Sequence, residues 1–278
     1  MDRVPNCFIK EVLVQLDYER ECWFGWSRRL RELPLIWGQI ANSKPFKKSA
    51  CLQVYFMNDR EAVFTATTFL NSTHHLTVVN LQQYYFKHIY IEDGAEEMAA
   101  YPRYYPLTKK NFDLLRKLLS IGHSCTLILK FRKHQNHTLL QQLLSIPSRI
   151  EDVELYDQLP STVKALTPLI ERGTLRRLYC HAAKNDSLTV LYKFMTFKGL
   201  HSFHLELEDR RPSTYKEVLR KMIDTLLYPK RYNYRLSMYA SYRKLFRRIT
   251  TKKMRQQLNV SFDSLLRNNC LSYGRLHV

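Results

Sequence analysis

Residues 150–155 (Ile-Glu-Asp-Val-Glu-Leu), 175–180 (Leu-Arg-Arg-Leu-Tyr-Cys) and 200–205 (Leu-His-Ser-Phe-His-Leu) repeat one pattern, apolar-x-x-apolar-x-apolar, three times in succession. A partial copy with polar Ser124 in the first slot precedes them, at Leu127 and Leu129. Measured at the middle apolar residue, Leu127 to Val153 is 26 residues, Val153 to Leu178 is 25 and Leu178 to Phe203 is 25. Between the copies the apolar residues fall at helical spacing: Leu139, Leu140, Leu143 and Leu144, then Val163, Leu166, Leu169 and Ile170, then Leu188, Leu191, Phe194 and Met195. Asp186 or Ser187 is placed to cap the third helix, and Gly173 and Gly199 stand where left-handed helix ends favour glycine.

A fixed period in the twenties holding one strand and one helix predicts an α/β chain: an irregular leucine-rich-repeat-like solenoid with a parallel curved sheet of about six to eight strands. The asparagine that stabilises the usual turn of such repeats is missing, its place being held by Gln158, Ala183 and Glu208. Residues between the inward apolar positions line the outer face of such a sheet. They are Ile128 and Lys130, Glu154 and Tyr156, Tyr179 and His181, His204 and Glu206, then Arg235. Tyrosine, histidine and charge side by side suit recognition of a protein partner of unknown identity better than a small-molecule pocket.

Upstream the period is ambiguous. Cys51 to Met57 reads as a strand with Leu52 and Val54 in the repeat slots, followed by a helix from Asp59 to about Leu70. Either residues 76–81 or residues 86–91 can supply the second repeat strand, and Asp93 to Pro106 reads as an inserted loop. Downstream, a helix over Ser213 to Leu227 precedes a last strand near Arg231 to Tyr239. The chain then divides into residues 1–43, a helical start; 44–240, the repeat array; and 241–278, a basic helical cap or tail.

The charge follows that division. The formal net charge is +19, yet residues 1–209 hold 27 Lys/Arg against 22 Asp/Glu, a net of +5, and residues 210–255 hold 15 against 2, a net of +13. The densest cluster is Arg243, Lys244, Arg247, Arg248, Lys252, Lys253 and Arg255. A local basic excess opens a nucleic-acid reading, since clustered cations release counterions from phosphate backbones.

Other classes are disfavoured. With 7 glycines there is no Gly-rich phosphate loop, so no cofactor is expected. The 6 cysteines form no C-x-x-C pair and are expected to be reduced. His134 and His137 could share a metal on one helical turn, but no third ligand is placed to complete a site, so none is expected. No catalytic motif is present, and a non-enzymatic role follows. Charged residues run through Met1 to Leu16 and no apolar run approaches a membrane span, so an intracellular, cytoplasmic or nuclear protein without a membrane is expected.

The start carries a resemblance. Val4-Pro5 opens an apolar helical pattern at Phe8, Ile9, Val12, Leu13 and Leu16, and a second pattern over Arg28 to Ala41 closes near Trp37 in Leu-Pro-Leu-Ile-Trp-Gly. This resembles a shortened F-box, with Asp17 to Trp26 departing from the usual middle. With runs such as Ile150-Glu-Asp-Val-Glu-Leu-Tyr and Leu-Arg-Arg-Leu-Tyr at 175–179, the whole chain resembles the nematode F-box-like families with a C-terminal irregular repeat region. That resemblance implies docking to the adaptor of a cullin-RING ubiquitin ligase through Val4, Pro5, Phe8, Ile9, Leu13 and Trp37, with a target protein held on the strand face.

Overall fold

The computed structural model describes residues 5, 8–9, 12–13, 35–43, 47–68, 71–120, 123–133, 137–147, 149–156, 163, 166–183, 185–195, 197, 199–200, 202–207, 211–227, 234–239, 261–265 and 273–277. The repeated pattern forms strands as its apolar alternation requires. These are β6 (Cys125–Lys130), β7 (Ile150–Tyr156), β8 (Arg177–Ala183) and β9 (Ser202–Leu207). Their pairing is parallel and keeps the period in register: Leu127 faces Val153, Val153 faces Leu178, and Leu178 faces Phe203. Helices α3 (Thr138–Ser145), α4 (Thr167–Glu171) and α5 (Asn185–Met195) return the chain between them. Such crossovers are what parallel neighbours need.

Local signals set the helix ends. In α4, Pro168 stands in the first turn, where its missing N–H costs nothing, and Gly173 follows at a φ of 72°. Gly199, expected in the same left-handed conformation, does not take it: Gly173 is the positive-φ glycine among the described residues. Likewise α5 begins at Asn185, ahead of Asp186 and Ser187.

Upstream the ladder continues through β4 (Tyr84–Asp93) to β1 (Lys48–Phe56), both parallel to β6. Leu52 faces Ile89 and Ile89 faces Leu127, so residues 86–91 lie in the second repeat strand. The other candidate, 76–81, ends in a 3-10 turn at Val78–Gln83. The helix expected from Asp59 is corrected too, because Ala62–Thr68 is strand β2, antiparallel to β1. Two physical reasons favour the strand. Valine, phenylalanine and threonines of residues 62–68 suit a pleated strand buried on both faces. Asn58 builds the turn, its Oδ1 accepting the N–H of Arg60 at 3.0 Å and of Glu61 at 2.9 Å.

Among the described residues the sheet has 12 strands in the order β11-β12-β10-β9-β8-β7-β6-β4-β1-β2-β3, with β5 (Tyr105–Pro106) beside β2. Here β3 is Asn71–His75, β10 is Tyr234–Tyr239, β11 is Ser261–Leu265 and β12 is Tyr273–His277. The wholly parallel sheet of six to eight strands is therefore corrected to a larger, mixed and open one. From β1 to β10 the neighbours run parallel, while β2, β3, β5, β11 and β12 attach antiparallel at the two ends.

One core lies on one face of this sheet. Leu52, Ile89, Leu127, Val153, Leu178 and Phe203, with Val54, Ile91, Leu129, Leu155, Cys180 and Leu205, are buried together. Against them pack Phe112, Leu115 and Leu119 of α2 (Lys109–Leu119), Leu140, Leu143 and Leu144 of α3, Leu191 and Phe194 of α5, and Val218 and Leu219 of α6 (Pro212–Leu227). Each fully buried Leu or Phe contributes about 1.5–3 kcal/mol relative to exposure. The opposite face carries mainly polar and aromatic residues, with Ile128 and, at the β1–β2 end, Met57 and Val63 among them.

At the β1–β2 end that opposite face is covered by the insertion 94–107. Met98 and Tyr104 pack on Tyr55, Met57 and Val63, and Tyr104 meets Tyr55 edge-on at 5.6 Å. Gly94 lets the insertion leave β4 close to β1: its N–H donates to the carbonyl of Phe56 at 2.8 Å, and a Cβ there would stand 2.7 Å from Met57 Sδ and 3.0 Å from Tyr55 Cβ.

Candidate protein-interaction face

Because successive strand residues alternate between faces, the positions between the core residues form rows across the outer face. One row runs in register from Gln53 through Tyr90, Ile128, Glu154, Tyr179 and His204 to Arg235. A second joins Tyr55, Glu92 and Lys130, and Tyr156 pairs with His181 at the same level. A third runs Cys51, His88, Thr126, Asp152, Arg177 and Ser202.

The structure thus brings together Lys130, Glu154, Tyr156, Tyr179, His181 and His204 from four consecutive strands. Tyr90, Glu92, Asp152 and Arg177 join them without having been singled out in the sequence. Only the ladder register reveals their place, since their strand had two candidate positions or their slot lay just before the repeat's middle apolar residue. His204 is a correction to the exposed reading: it is 8% exposed, sunk between Tyr179 and His181, whose ring centroids each lie 6.0 Å away. Ile128 is likewise buried. For Glu206 and Arg235 the register is the described feature, Glu206 facing Ser237 and Arg235 facing His204.

The charges on β4 to β8 are matched locally. Lys130 Nζ lies 3.9 Å from Glu92 Oε1 and over the rings of Tyr90 and Tyr156, 5.6 Å and 4.9 Å from their centroids. Asp152 accepts two bonds from Arg177, from Nε and Nη2, each 2.6 Å. Tyr156 donates its hydroxyl to Glu154 at 3.2 Å. Ring orientation follows from the same distances. Tyr156 and His181 stack at 4.3 Å with planes 11° apart. That separation is close to the spacing of neighbouring strands, so the two planes stand upright on the sheet and meet face to face along it. Their edges, not their flat faces, then point away from the sheet.

The thiols and phenols are poorly suited to chemistry. Burial pushes Cys125 up to about 12, helped by Glu151 and Asp152, and raises Cys180 further. Tyr55 is pushed up to about 12, first by burial and then by Glu92 and Tyr104. His137 caps α3, its Nδ1 accepting the N–H of Leu139 at 3.2 Å, and its ring stacks on Phe56 at 4.1 Å; His134 lies outside the described residues. Among the described residues no group of three His, Cys, Asp or Glu is placed to hold a metal ion, and no helix is long and apolar enough to cross a membrane.

The F-box-like positions fare unevenly. Phe8 and Ile9 donate their N–H groups to the carbonyl of Pro5 at 3.0 and 3.2 Å, so a helical turn does start there. Phe8 is 55% exposed and Pro5 is exposed, but Ile9 and Leu13 are 0% and 4% exposed and are used inside the chain. Trp37 is half-buried in α1 (Leu35–Ser43). Val4 and the basic cluster Arg243, Lys244, Arg247, Arg248, Lys252, Lys253 and Arg255 lie outside the described residues. Compared with models of protein families, with curated proteins and with solved structures, the chain matches none.

Proposed function

We propose that the chain is a non-enzymatic protein-binding module, built as an irregular leucine-rich-repeat-like solenoid and serving as an F-box-like substrate-recognition subunit of a cullin-RING ubiquitin ligase. One observation carries the binding role: an outer sheet face whose rows hold Tyr90, Lys130, Glu154, Tyr156, Tyr179 and His181 half-exposed or exposed while α2 to α6 bury their apolar residues on the opposite side. Upright rings with hydroxyl and imidazole edges suit a polypeptide, which offers hydrogen-bonding groups of both kinds, and suit nucleobases less, because base stacking needs open ring faces.

Adaptor docking rests on the resemblance together with the exposure of Pro5 and Phe8. Ile9 and Leu13 are then internal supports of that segment, and the contact falls to Pro5, Phe8 and Trp37. The test is a pull-down of purified adaptor with the full chain. Capture that is lost in the Pro5→Ala and Trp37→Ala variants, with their far-ultraviolet spectrum unchanged, is the expected result. Absence of capture by the wild-type chain overturns the ligase role and leaves a binding module without that assembly.

A further inference from the structure

Lys130 stands where side chains of three neighbouring strands converge. Its Nζ lies over two phenol rings, 5.6 Å from the centroid of Tyr90 on β4 and 4.9 Å from that of Tyr156 on β7. Both distances fall within the roughly 6 Å at which a ring face attracts a cation. Two carboxylates flank the same lysine. Glu92 is its register partner on β4, and Glu154 on β7 stands opposite Ile128, the preceding outward residue of β6. The Tyr90 phenol feels both: burial first, and then Cys51, Glu154 and Glu92, hold its proton more tightly than usual.

The group formed by Tyr90, Tyr156, Glu92, Glu154 and Lys130 has two carboxylates for one cation. Glu154 is served only by a neutral donor, the Tyr156 hydroxyl, among its described hydrogen bonds. In the next row Asp152 and Arg177 cancel each other, and Lys87 of β4 acts on the Cys51 thiol. What keeps Lys130 in place is weak. Its Nζ is 3.9 Å from Glu92 Oε1, beyond hydrogen-bond reach, and its side chain is 40% exposed. Exposed cation–π contacts and surface ion pairs each contribute little. The lysine is therefore a displaceable occupant of a place that suits a cation. Arginine suits it better, because a planar guanidinium lies on a phenol face and gives a carboxylate two parallel hydrogen bonds.

We infer that the outer face holds a guanidinium site at Tyr90, Tyr156 and Glu92, where an arginine side chain of a bound polypeptide replaces Lys130. This rests on the reading of the outer face as a protein-binding surface and names the side chain it selects. On entry the arginine takes the ring faces and Glu92. Lys130 turns toward Glu154, so that two cations then match two carboxylates. An uncharged side chain cannot make the same exchange, because it leaves Glu92 without a cation.

Saturation-transfer NMR on the full chain tests this with three Gly-Ser peptides that carry one central arginine, lysine or citrulline. Citrulline keeps the planar shape and loses the charge. The arginine peptide is expected to bind best and the citrulline peptide about tenfold more weakly. Glu92→Gln is expected to weaken the arginine peptide by about the same factor, and Tyr90→Leu to weaken it severalfold. Lys130→Ala is expected to tighten it severalfold, since the competing ammonium is gone. Urea midpoints of the three variants, all at half-exposed or exposed positions, guard against loss through misfolding. Weaker binding in Lys130→Ala overturns the exchange, and unchanged binding in Tyr90→Leu or Glu92→Gln overturns the site. Equal binding of the lysine or citrulline peptide overturns the guanidinium assignment. Binding of none of the peptides overturns the proposal while leaving the face open to other polypeptides, and the adaptor pull-down still decides the ligase role separately.

Discussion

At the scale of single residues, the molecule protects its polar groups by packing and pairs its charges across strands. Asp152 is 7% exposed and survives that burial because Arg177 closes on it with two hydrogen bonds and Thr126 adds a third at 3.4 Å. The phenols of Tyr55 and Tyr192 are held protonated by burial, each with a carboxylate nearby, Glu92 and Glu217, adding to the shift; both are pushed up to about 12 from an ordinary value of 10. The sign of the consequence is definite. Below pH 10 both folded and unfolded chains keep these protons; between pH 10 and about 12 the unfolded chain releases them while the folded chain cannot, so stability falls across that window. Urea midpoints measured at pH 8 and at pH 10.5 should show the fall. Tyr55→Phe should show a shallower one, and an unchanged slope in that variant would mean Tyr55 is not among the groups responsible.

Among the elements, the alternation of each strand separates fold from function residue by residue. Leu178 and Tyr179 are neighbours on β8, but Leu178 is fully buried in the core while Tyr179 stands in the outer row. Leu178→Ala is expected to cost about 2–5 kcal/mol by combining lost transfer energy with a cavity. Tyr179→Ala is expected to cost about 1 kcal/mol or less, as for surface substitutions. Chemical denaturation of the two variants compares them directly, and equal losses would contradict the assignment of the two faces. Elements also explain the interrupted period. Leu52 to Ile89 is 37 residues and Ile89 to Leu127 is 38, because the β2–β3 hairpin and then the insertion 94–107 lengthen two of the steps. A step of 27 residues from Leu52 would have ended at Val79, which lies in the 3-10 turn and is 85% exposed.

For the whole molecule the governing quantity is the net charge of +19, which makes the folded chain repel itself. Raising salt from about 0.01 M to about 0.15 M shortens the screening length from about 30 Å to about 8 Å. The thermal midpoint is expected to rise over that range, and a fall would indicate that cross-strand pairs such as Glu92–Lys130 outweigh the repulsion. At this scale it also becomes plain what was written locally and what was not. The strand–helix alternation from Ser124 to Leu207, the core residues of each copy and the row Glu154–Tyr179–His204 could be read from the sequence. A strand buries alternate residues and a helix buries one stripe, and both leave a periodic trace in the chain itself. Strand β2, the choice of 84–93 as a repeat strand, the antiparallel strands at both ends and the Asp152–Arg177 pair could not, because they depend on which strand becomes whose neighbour. Pairing is decided by competition among distant segments for the same edge and the same core, and the sum of contacts made there leaves no periodic mark on any one of them.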